Sequence, residues 1–302
     1  MNEVKISPIF YMGNKKKLIK KGLTDLFPEK IDTFVDVFGG SGVVGMNVTA
    51  KNYIINDINT HLFQLYHLFK DCSVDMIVSC IKYNIEKYHL PKERTKRNQY
   101  FDKAKIEEYK KAYNKLRDVY NAERNIFDFY TLMFFSFSQQ FRFNNKGDFN
   151  MPYGMDCFCD KNIEYIKNGC EYFQRPNVKC LNIDFKYLIG DASVDENTFF
   201  YCDPPYYNTT AVYNENNSWT QENEKDLYYC LDLQNNKGTR WALSTVLENK
   251  GKENPFLREW LSHNDYNIYS FSGHTYSACG KGNSNAKEVL ITNYKEIENE
   301  SN

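Results

Sequence analysis

The segment YCDPPYY, residues 201–207, combines residue types that can hold an amino group in a fixed position. Apolar residues lead into Asp203, and the two prolines that follow cannot donate backbone hydrogen bonds and keep the residue before them extended. The Asp203 carboxylate and the Pro204 carbonyl are then two adjacent acceptors, and Tyr206 offers a flat ring on which a planar base can stack. The segment predicts a site for an aminated heterocycle, with Asp203, Pro204, Pro205 and Tyr206 as its catalytic residues.

A glycine-rich segment, FGGSGVVG, follows the short apolar run FVDVF and precedes small and apolar residues that are typical of a helix packed on a sheet. Gly40, Gly42 and Gly45 match the GxGxxG spacing, in which glycine permits a tight turn and the close approach of a ligand. Asp57 ends the next apolar run, where a carboxylate can accept hydrogen bonds from both hydroxyls of a ribose. These features predict an adenosine-type cofactor. They do not show which adenosine-type cofactor binds, since a dinucleotide would need the same residues. They also do not exclude that the glycines serve only a tightly packed turn.

The elements that must position these residues follow from the alternation of apolar runs and turns. Strand, glycine loop, helix and strand form the start of an α/β sheet, and strand-like runs return at VKCLNID, NTFFYC, RWALST, YNIYSF and KEVLITNY. Between them the pattern becomes helical, and RFNNKGDFNMPYG predicts a hairpin around residues 141–154. We expect a sheet domain of residues 1–70 and 178–302 with an inserted, mainly helical module of residues 71–177.

Charge is unevenly distributed, although the net charge is only -1. The segments Lys5–Lys21 and Lys87–Asn125 each carry a net +6, whereas Asp184–Asp232 carries -8. Such asymmetry lets one face meet a polyanion, although for the middle segment taken alone a solvated helix face is the favoured explanation.

Composition excludes several other classes of protein. No apolar run approaches the roughly 18 residues of a membrane span, so we expect a cytoplasmic protein. The nine cysteines include no CxxC pair, and the spacing of Cys157, Cys159, Cys170 and Cys180 is not that of common zinc sites. We therefore expect reduced thiols and no metal.

Taken in their order along the chain, these motifs resemble those of the D12-class, or Dam-like, DNA adenine-N6 methyltransferases. SPIFYMGNKKKLI resembles their N-terminal cofactor motif, FVDVFGGSGVVG their glycine motif, IINDIN and LNIDF their acidic motifs, YCDPPYY their catalytic motif and FRFNNKGDFNMPYG their DNA-reading hairpin. Many relatives have tryptophan at Tyr11 and asparagine at Thr245. The resemblance implies a Rossmann-like, S-adenosylmethionine-dependent methyltransferase sheet with an inserted DNA-recognition module.

The resemblance also assigns roles to individual residues. It places S-adenosylmethionine against Tyr11, Lys15, Phe38, Gly39, Gly40, Ser41, Gly42, Asp57 and Asp184. It places the target adenine, flipped out of double-stranded DNA, against the four catalytic residues. Arg142, Asn144, Asn145 and Lys146 are candidates for contacts with DNA bases, and bracing of the loop is an equal alternative. Hydrogen bonds to Asp203 and Pro204 would favour a pyramidal amino nitrogen with an available lone pair, so neither a base nor a metal is implied.

Two other functions remain compatible with the sequence. One is a methyltransferase for an amino group of RNA or protein, and the other is a non-catalytic nucleic-acid-binding relative. The intact catalytic and glycine motifs argue against the second. We expect a bacterial or phage-encoded enzyme of DNA modification or restriction-modification, with a monomer as the default state.

Overall fold

The computed structural model describes residues 3–93, 103–190, 197–207, 219–249, 251–271 and 287–295. The strands are β1 (Thr33–Asp36), β2 (Asn52–Asn56), β3 (Val178–Leu181), β4 (Thr198–Cys202), β5 (Arg240–Asn249), β6 (Lys252–Glu253), β7 (Asn267–Ser270) and β8 (Lys287–Thr292). The α-helices are α1 (Lys16–Ile19), α2 (Thr60–Asp71), α3 (Val74–Tyr88), α4 (Lys103–Glu123), α5 (Ile126–Phe135), α6 (Asp160–Phe173), α7 (Phe185–Gly190), α8 (Gln221–Asn236) and α9 (Pro255–Ser262). Short 3-10 helices cover Thr24–Leu26, Gly45–Asn47 and Phe137–Gln139.

The strands form one sheet in the order β3-β2-β1-β4-β5-β8-β7, and β6 pairs with β5. The strands from β3 to β5 pair in parallel, whereas β8 runs antiparallel to both β5 and β7. The predicted α/β sheet is therefore confirmed. The chain progresses outward through β2 and β3 on one side of β1 and through β4 and β5 on the other. Ligands of such sheets bind beyond the carboxyl ends of the strands at this reversal point.

The sheet is held by apolar residues on both faces. Every residue of β4 is buried, as expected for a central strand covered on two sides. One face packs through Val35, Phe200, Trp241 and Ile291 against apolar residues of α7, α8 and α9. This packing fixes the carboxyl ends of β1 and β4.

The helix expected after the glycine loop is absent from the described structure around it, where only the 3-10 turn Gly45–Asn47 is found. Val48 follows this turn in an extended conformation, with φ of -109° and ψ of 145°. Valine, glycine and asparagine are weak helix formers, and several of them occur together in VVGMNV. The loop therefore presents its backbone beyond β1 without a long helix behind it.

The chain divides into two compact units. The sheet unit comprises Met1–Val4, Lys15–Phe63 and Pro176–Asn302, and the helical unit comprises Lys5–Asn14 and Gln64–Arg175. The divisions differ from the predicted boundaries because residues 5–14 pack within the helical unit.

Two contacts hold residues 5–14 there. The Tyr130 hydroxyl donates to the Pro8 carbonyl at 3.1 Å. The Pro8 ring lies so close to Gly169 that a Cβ at that glycine would come within 2.5 Å of it. The assignment of the inserted module to target recognition stays a prediction.

The helical unit is built around α5, whose residues from Phe129 to Phe135 are all buried. Helices α3 and α4 pack on α5, and α6 packs on α3. Tyr113, Leu116 and Tyr120 form the buried face of α4. No helix within the described ranges is long and apolar enough to span a membrane.

Candidate active site

The two central strands bring the catalytic motif beside the glycine loop. Asp36, the last residue of β1, pairs in register with Tyr201 of β4, and the amide of Val37 donates to the Tyr201 carbonyl at 3.0 Å. Strand β4 ends at Cys202, so Asp203 directly follows it, as predicted. Pro204 and Pro205 continue without regular secondary structure. The loop after β1 and the loop after β4 therefore leave the sheet side by side.

Asp203 belongs to a buried ionic cluster. Its Oδ2 lies 2.7 Å from the Nζ of Lys15, and the same nitrogen lies 3.3 Å from Oε1 of Glu288 on β8. The side chains of Lys15 and Glu288 are only 3% and 2% exposed, whereas that of Asp203 is 18% exposed. Burial raises the pKa of Asp203 to about 6, while the Lys15 charge and hydrogen bond act in the opposite direction. Asp203 is thus the member of the cluster that a solvent-borne ligand can reach.

Tyr206 completes this cluster through its hydroxyl. Lys15 donates to that oxygen at 2.8 Å, and Oδ1 of Asp203 and Oε1 of Glu288 lie 3.1 and 2.9 Å from it. A phenol has one proton, so it can donate fully to only one of these carboxylates. The ring of Tyr206 is 8% exposed, with the Lys15 Nζ 5.2 Å from its centre. Stacking of a base on Tyr206 stays a prediction and would require this ring to become more accessible.

The glycine loop is closed by Asp57. Gly40 and Gly42 have φ values of +52° and +74°, which side chains other than glycine rarely adopt. The amide of Gly40 donates to Oδ2 of Asp57 at 2.9 Å, and the amide of Asn59 donates to Oδ1 at 2.9 Å. Burial raises the pKa of Asp57 to about 6 against the effect of these two amides. Each carboxylate oxygen retains a second lone pair for a ligand hydroxyl.

A second buried acid, Asp36, lies beneath these loops. Its side chain is 1% exposed. Burial raises its pKa well above the usual range, and the charges of Asp203 and Asp57 add to this effect. Burial and the neighbouring carboxylates therefore both favour the protonated form of Asp36.

Phe38 follows β1 and Asp184 follows β3, each in the loop beyond its strand. The Phe38 ring contacts those of Phe185 and Trp219, each at a centroid distance of 5.5 Å. Oδ1 of Asp184 accepts from the amide of Lys186 at 2.9 Å, which stabilises the first turn of α7. Ser41 is buried. The predicted cofactor roles of Phe38, Ser41 and Asp184 stay predictions.

Tyr11 lies in the helical unit, where its ring stacks on Phe141 with 5.5 Å between centroids. Its predicted role at the cofactor stays a prediction. The Lys15 amine contacts acids of the catalytic loop and of β8, and its role at the cofactor stays a prediction too. Because it is buried, Lys15 is not an exposed member of the basic segment that begins at Lys5.

The 141–154 hairpin is paired at Phe143 with Phe149, and its base at Ser136 with Tyr153. Oδ1 of Asn144 accepts from the amides of Lys146 and Asp148, both at 2.9 Å. Asn144 therefore braces the turn.

The other three predicted DNA contacts differ in their surroundings. Nε of Arg142 donates to Oδ1 of Asn150 at 2.9 Å, and Nη2 donates to the Asn150 carbonyl at 3.4 Å. Asn145 and Lys146 are exposed at the tip. Contact of any of the four with DNA bases stays a prediction.

Two residues outside the hairpin hold it, mainly through its backbone. Arg124 donates to the Gly147 carbonyl and to Oδ1 of Asp148, both at 2.6 Å. Asn121 accepts from the amide of Phe149 at 2.8 Å and donates to its carbonyl at 3.1 Å. The tip is therefore fixed from α4 and the residue that follows it.

A family model for the D12 class N6 adenine-specific DNA methyltransferases matches residues 11–275. The chain belongs to this family. The match includes the glycine loop, the helical insertion and the catalytic motif. The predicted resemblance rests on these segments following one another in this order.

Individual relatives extend the similarity over nearly the whole chain. It is 38% identical to the Type II methyltransferase M.FokI of Planomicrobium okeanokoites over 95% of its own length and 43% of the relative. It is 33% identical to the modification methylase StsI of Streptococcus sanguinis over 96% of its length and 43% of the relative. It is 25% identical to the Type II methyltransferase M1.LlaDCHI of Lactococcus lactis subsp. cremoris over 97% of both chains. The chain thus spans less than half the length of the first two relatives and nearly all of the third.

Two residues of the site were missed in the sequence. Asp36 stands inside the apolar run FVDVF, and Glu288 begins the apolar run EVLIT of β8. An acid within a strand that is otherwise apolar is a signal for a buried carboxylate with a special partner. The sequence does not identify that partner, because Glu288 and Lys15 lie at opposite ends of the chain.

Within the described part of the chain, no group of three or more His, Cys, Asp or Glu side chains is arranged to hold a metal ion. Cys157, Cys159, Cys170 and Cys180 are not joined in disulfides.

Proposed function

We propose that this chain is a site-specific DNA adenine-N6 methyltransferase that uses S-adenosylmethionine and acts on double-stranded DNA. The observation that carries the proposal is the position of Asp203 and Pro204 at the end of β4, next to the glycine loop after β1. Family membership and the words methyltransferase and modification methylase in the relatives' names support it. We place the enzyme in the cytoplasm of a bacterium or phage-infected cell, as a DNA modification enzyme.

The residues after β1 and β2 fit an adenosine-type methyl donor. Gly40 and Gly42 adopt positive φ values that favour glycine, and because glycine has no Cβ a ligand can approach the loop backbone closely. Asp57 presents a carboxylate with free lone pairs for two ribose hydroxyls. When bound, S-adenosylmethionine supplies a methyl group on a positively charged sulfur. Phe38, Gly39, Ser41 and Asp184 are the further residues of the sheet unit that we assign to it.

The catalytic loop prepares the target nitrogen by accepting hydrogen bonds from its amino group. The amino nitrogen of adenine is a poor nucleophile because its lone pair is delocalised into the ring. Hydrogen bonds to the Asp203 carboxylate and the Pro204 carbonyl favour a pyramidal nitrogen with a localised lone pair. As positive charge develops on this nitrogen, both acceptors stabilise the transition state more than the ground state.

The DNA must expose this nitrogen, which a base pair conceals. We propose that adenine is flipped out of the duplex, at a cost of a few kcal/mol that contacts with the catalytic loop partly offset. Asn145 and Lys146, exposed at the tip of the 141–154 hairpin, are the candidates for contacts with DNA, and Arg142 with its remaining donors is a third.

The proposal is tested by incubating the purified chain with S-adenosylmethionine and DNA from a host without adenine methylation, followed by nucleoside mass spectrometry. We expect N6-methyladenine in duplex DNA, and methylation of RNA or protein alone would refute the substrate assignment. Asp203→Ala should lower the rate by roughly a thousandfold or more while cofactor affinity in calorimetry stays within a few-fold.

Asp32→Ala is a matched control for this variant. Asp32 precedes β1 at the opposite end of the sheet, where it pairs with Lys51. Its substitution should leave the rate unchanged. An Asp203→Ala variant that methylates DNA at the normal rate would exclude the proposed chemistry.

A further inference from the structure

Glu288 is the most buried member of the ionic cluster and has no place in the chemistry described so far. Its side chain is 2% exposed, and Oε1 lies 3.3 Å from the Lys15 Nζ and 2.9 Å from the Tyr206 hydroxyl. No contact between Glu288 and Asp203 is needed for an effect, because both carboxylates share these two donors. Glu288 can therefore change the properties of the Asp203 carboxylate without touching it.

The first effect concerns charge. Lys15 is the cation that faces both Asp203 and Glu288, at 2.7 and 3.3 Å. With one carboxylate, the pair would be neutral and Asp203 would be a weaker acceptor. With two carboxylates and one ammonium the cluster carries a net charge of -1, and the exposed oxygen atoms of Asp203 are where a ligand meets that charge.

The second effect concerns hydrogen bonds. The single proton of the Tyr206 hydroxyl can go to Oδ1 of Asp203, at 3.1 Å, or to Oε1 of Glu288, at 2.9 Å. Donation to Glu288 leaves Oδ1 of Asp203 free. Lys15 already occupies one site on Oδ2. A free Oδ1 is the atom that an incoming amino group requires.

We propose that Glu288 is a positioning residue that shares the Lys15 ammonium and takes the Tyr206 proton, so that Lys15 does not fully neutralise the ionised Asp203 carboxylate and Oδ1 of Asp203 stays available to the target amino group. The inference rests on the proposed function. It also gives Lys15 a role at the catalytic carboxylate. Glu288 acts through Lys15 and Tyr206 and does not itself touch the reacting atoms.

The test uses Glu288→Gln, which keeps the size of the side chain and removes its charge. The readout is the pH dependence of kcat/KM for DNA, which reports the ionisation of the free enzyme. Among the residues that the structure describes, the titratable groups that act on Asp203 or on which it acts are Lys15, Glu288 and Tyr206 in the cluster, and Asp36, Tyr201 and Cys202 on the two central strands. Of these, only the charge of Glu288 is removed.

In the wild type, activity should fall below a pH near 6, where Asp203 becomes protonated. The negative charge of Glu288 raises the pKa of Asp203. Its removal should therefore move this acid limb to lower pH, by about one pH unit. Over the pH range in which Asp203 is ionised, kcat should also fall roughly tenfold, since Lys15 and Tyr206 then both act on Asp203. Cofactor affinity in calorimetry should stay within about twofold.

The matched control is Glu224→Gln. Glu224 is also buried, at 3% exposure, and it accepts from Trp219 and Asn254 and not from Lys15. This variant should lose stability and keep the acid limb of the wild type. Glu288→Asp restores the charge and should keep that limb too. It carries the test if Glu288→Gln does not fold, because an acid limb displaced in Glu288→Asp would overturn the proposal.

Two results with Glu288→Gln would overturn the inference. One is a lower kcat with an unchanged acid limb of kcat/KM, as expected for any damaged core. The other is no change in either kcat or the acid limb. An absence of DNA adenine methylation in the wild type would instead overturn the proposed function, so the two failures are distinguishable.

Discussion

Asp57→Asn separates what this buried carboxylate contributes to binding from what it costs in stability. The Asp57 carboxylate accepts hydrogen bonds from the backbone amides of Gly40 and Asn59, and no cation is among the groups that shift its pKa. Its pKa in the folded protein is about 6, compared with an ordinary value of 3.8. A raised pKa means that the folded state binds the proton more tightly than the unfolded state does. The group therefore lowers stability as the pH rises from about 4 to 6, and the full cost applies above that window.

The magnitude follows from the difference of about two pKa units, each worth about 1.4 kcal/mol. The cost of the ionised carboxylate is about 3 kcal/mol at pH 8, and about 1.4 kcal/mol of it appears between pH 5 and pH 8. Asparagine does not ionise. The free energy of unfolding of Asp57→Asn minus that of the wild type should therefore be larger at pH 8 than at pH 5 by about 1.4 kcal/mol, so the variant gains stability relative to the wild type as the pH rises. Any hydrogen bond lost at Gly40 affects both pH values equally and cancels in this comparison.

The assay is urea unfolding of both proteins at the two pH values, with calorimetry of S-adenosylmethionine binding at pH 8. Cofactor affinity should fall roughly 10- to 100-fold, because hydrogen bonds to a charged acceptor are lost. Asp32→Asn is the control. Hydrogen bonds from Lys51 and Asn197 lower the pKa of Asp32, so its carboxylate is ionised at both pH values and the effect of this substitution should not change. A pH-independent effect of Asp57→Asn would refute the assigned cost of burial, and unchanged cofactor affinity would refute the assigned contact with ribose.

Two further predictions concern the hairpin. In Gly154→Ala the new Cβ would lie 2.3 Å from the Ser136 carbonyl oxygen, so urea unfolding should show a loss of about 2 to 4 kcal/mol. Gly190→Ala, with nothing within 4 Å of its Cβ, should cost nothing, and equal losses in the two variants would contradict the steric reasoning. Lys146→Ala should weaken duplex binding and reduce the slope of log affinity against log salt by about 1, whereas Lys237→Ala, at the carboxyl end of α8, should leave the slope unchanged. An unchanged slope for Lys146→Ala would remove this residue from the DNA contact.

Much of the sheet was predictable because its strands are short apolar runs with turn residues at their ends. The position of Asp203 directly after β4 was predictable for the same reason, since prolines cannot continue a central strand. The helix after the glycine loop was predicted wrongly. Local composition there permits a helix without stabilising one, and the chain forms a single 3-10 turn before Val48.

The parts of the site that depend on distant residues were not predictable. Lys15 precedes the first helix and Glu288 lies on β8, and only the insertion of β8 between β5 and β7 brings this carboxylate to the lysine. The motif likewise gives no orientation for Tyr206, whose ring is largely covered in the structure. Residue types indicated the chemistry, whereas the protonation states follow from burial that the fold alone determines.

The support of the 141–154 hairpin has a consequence for how target specificity can evolve. Asn121 holds both backbone groups of Phe149, and Arg124 holds the Gly147 carbonyl. These contacts depend on main-chain atoms and are indifferent to the side chains at positions 145 and 146. Mutations at those two positions can accumulate without loss of the loop conformation, so a lineage can explore new recognition sequences while its scaffold stays under unchanged selection.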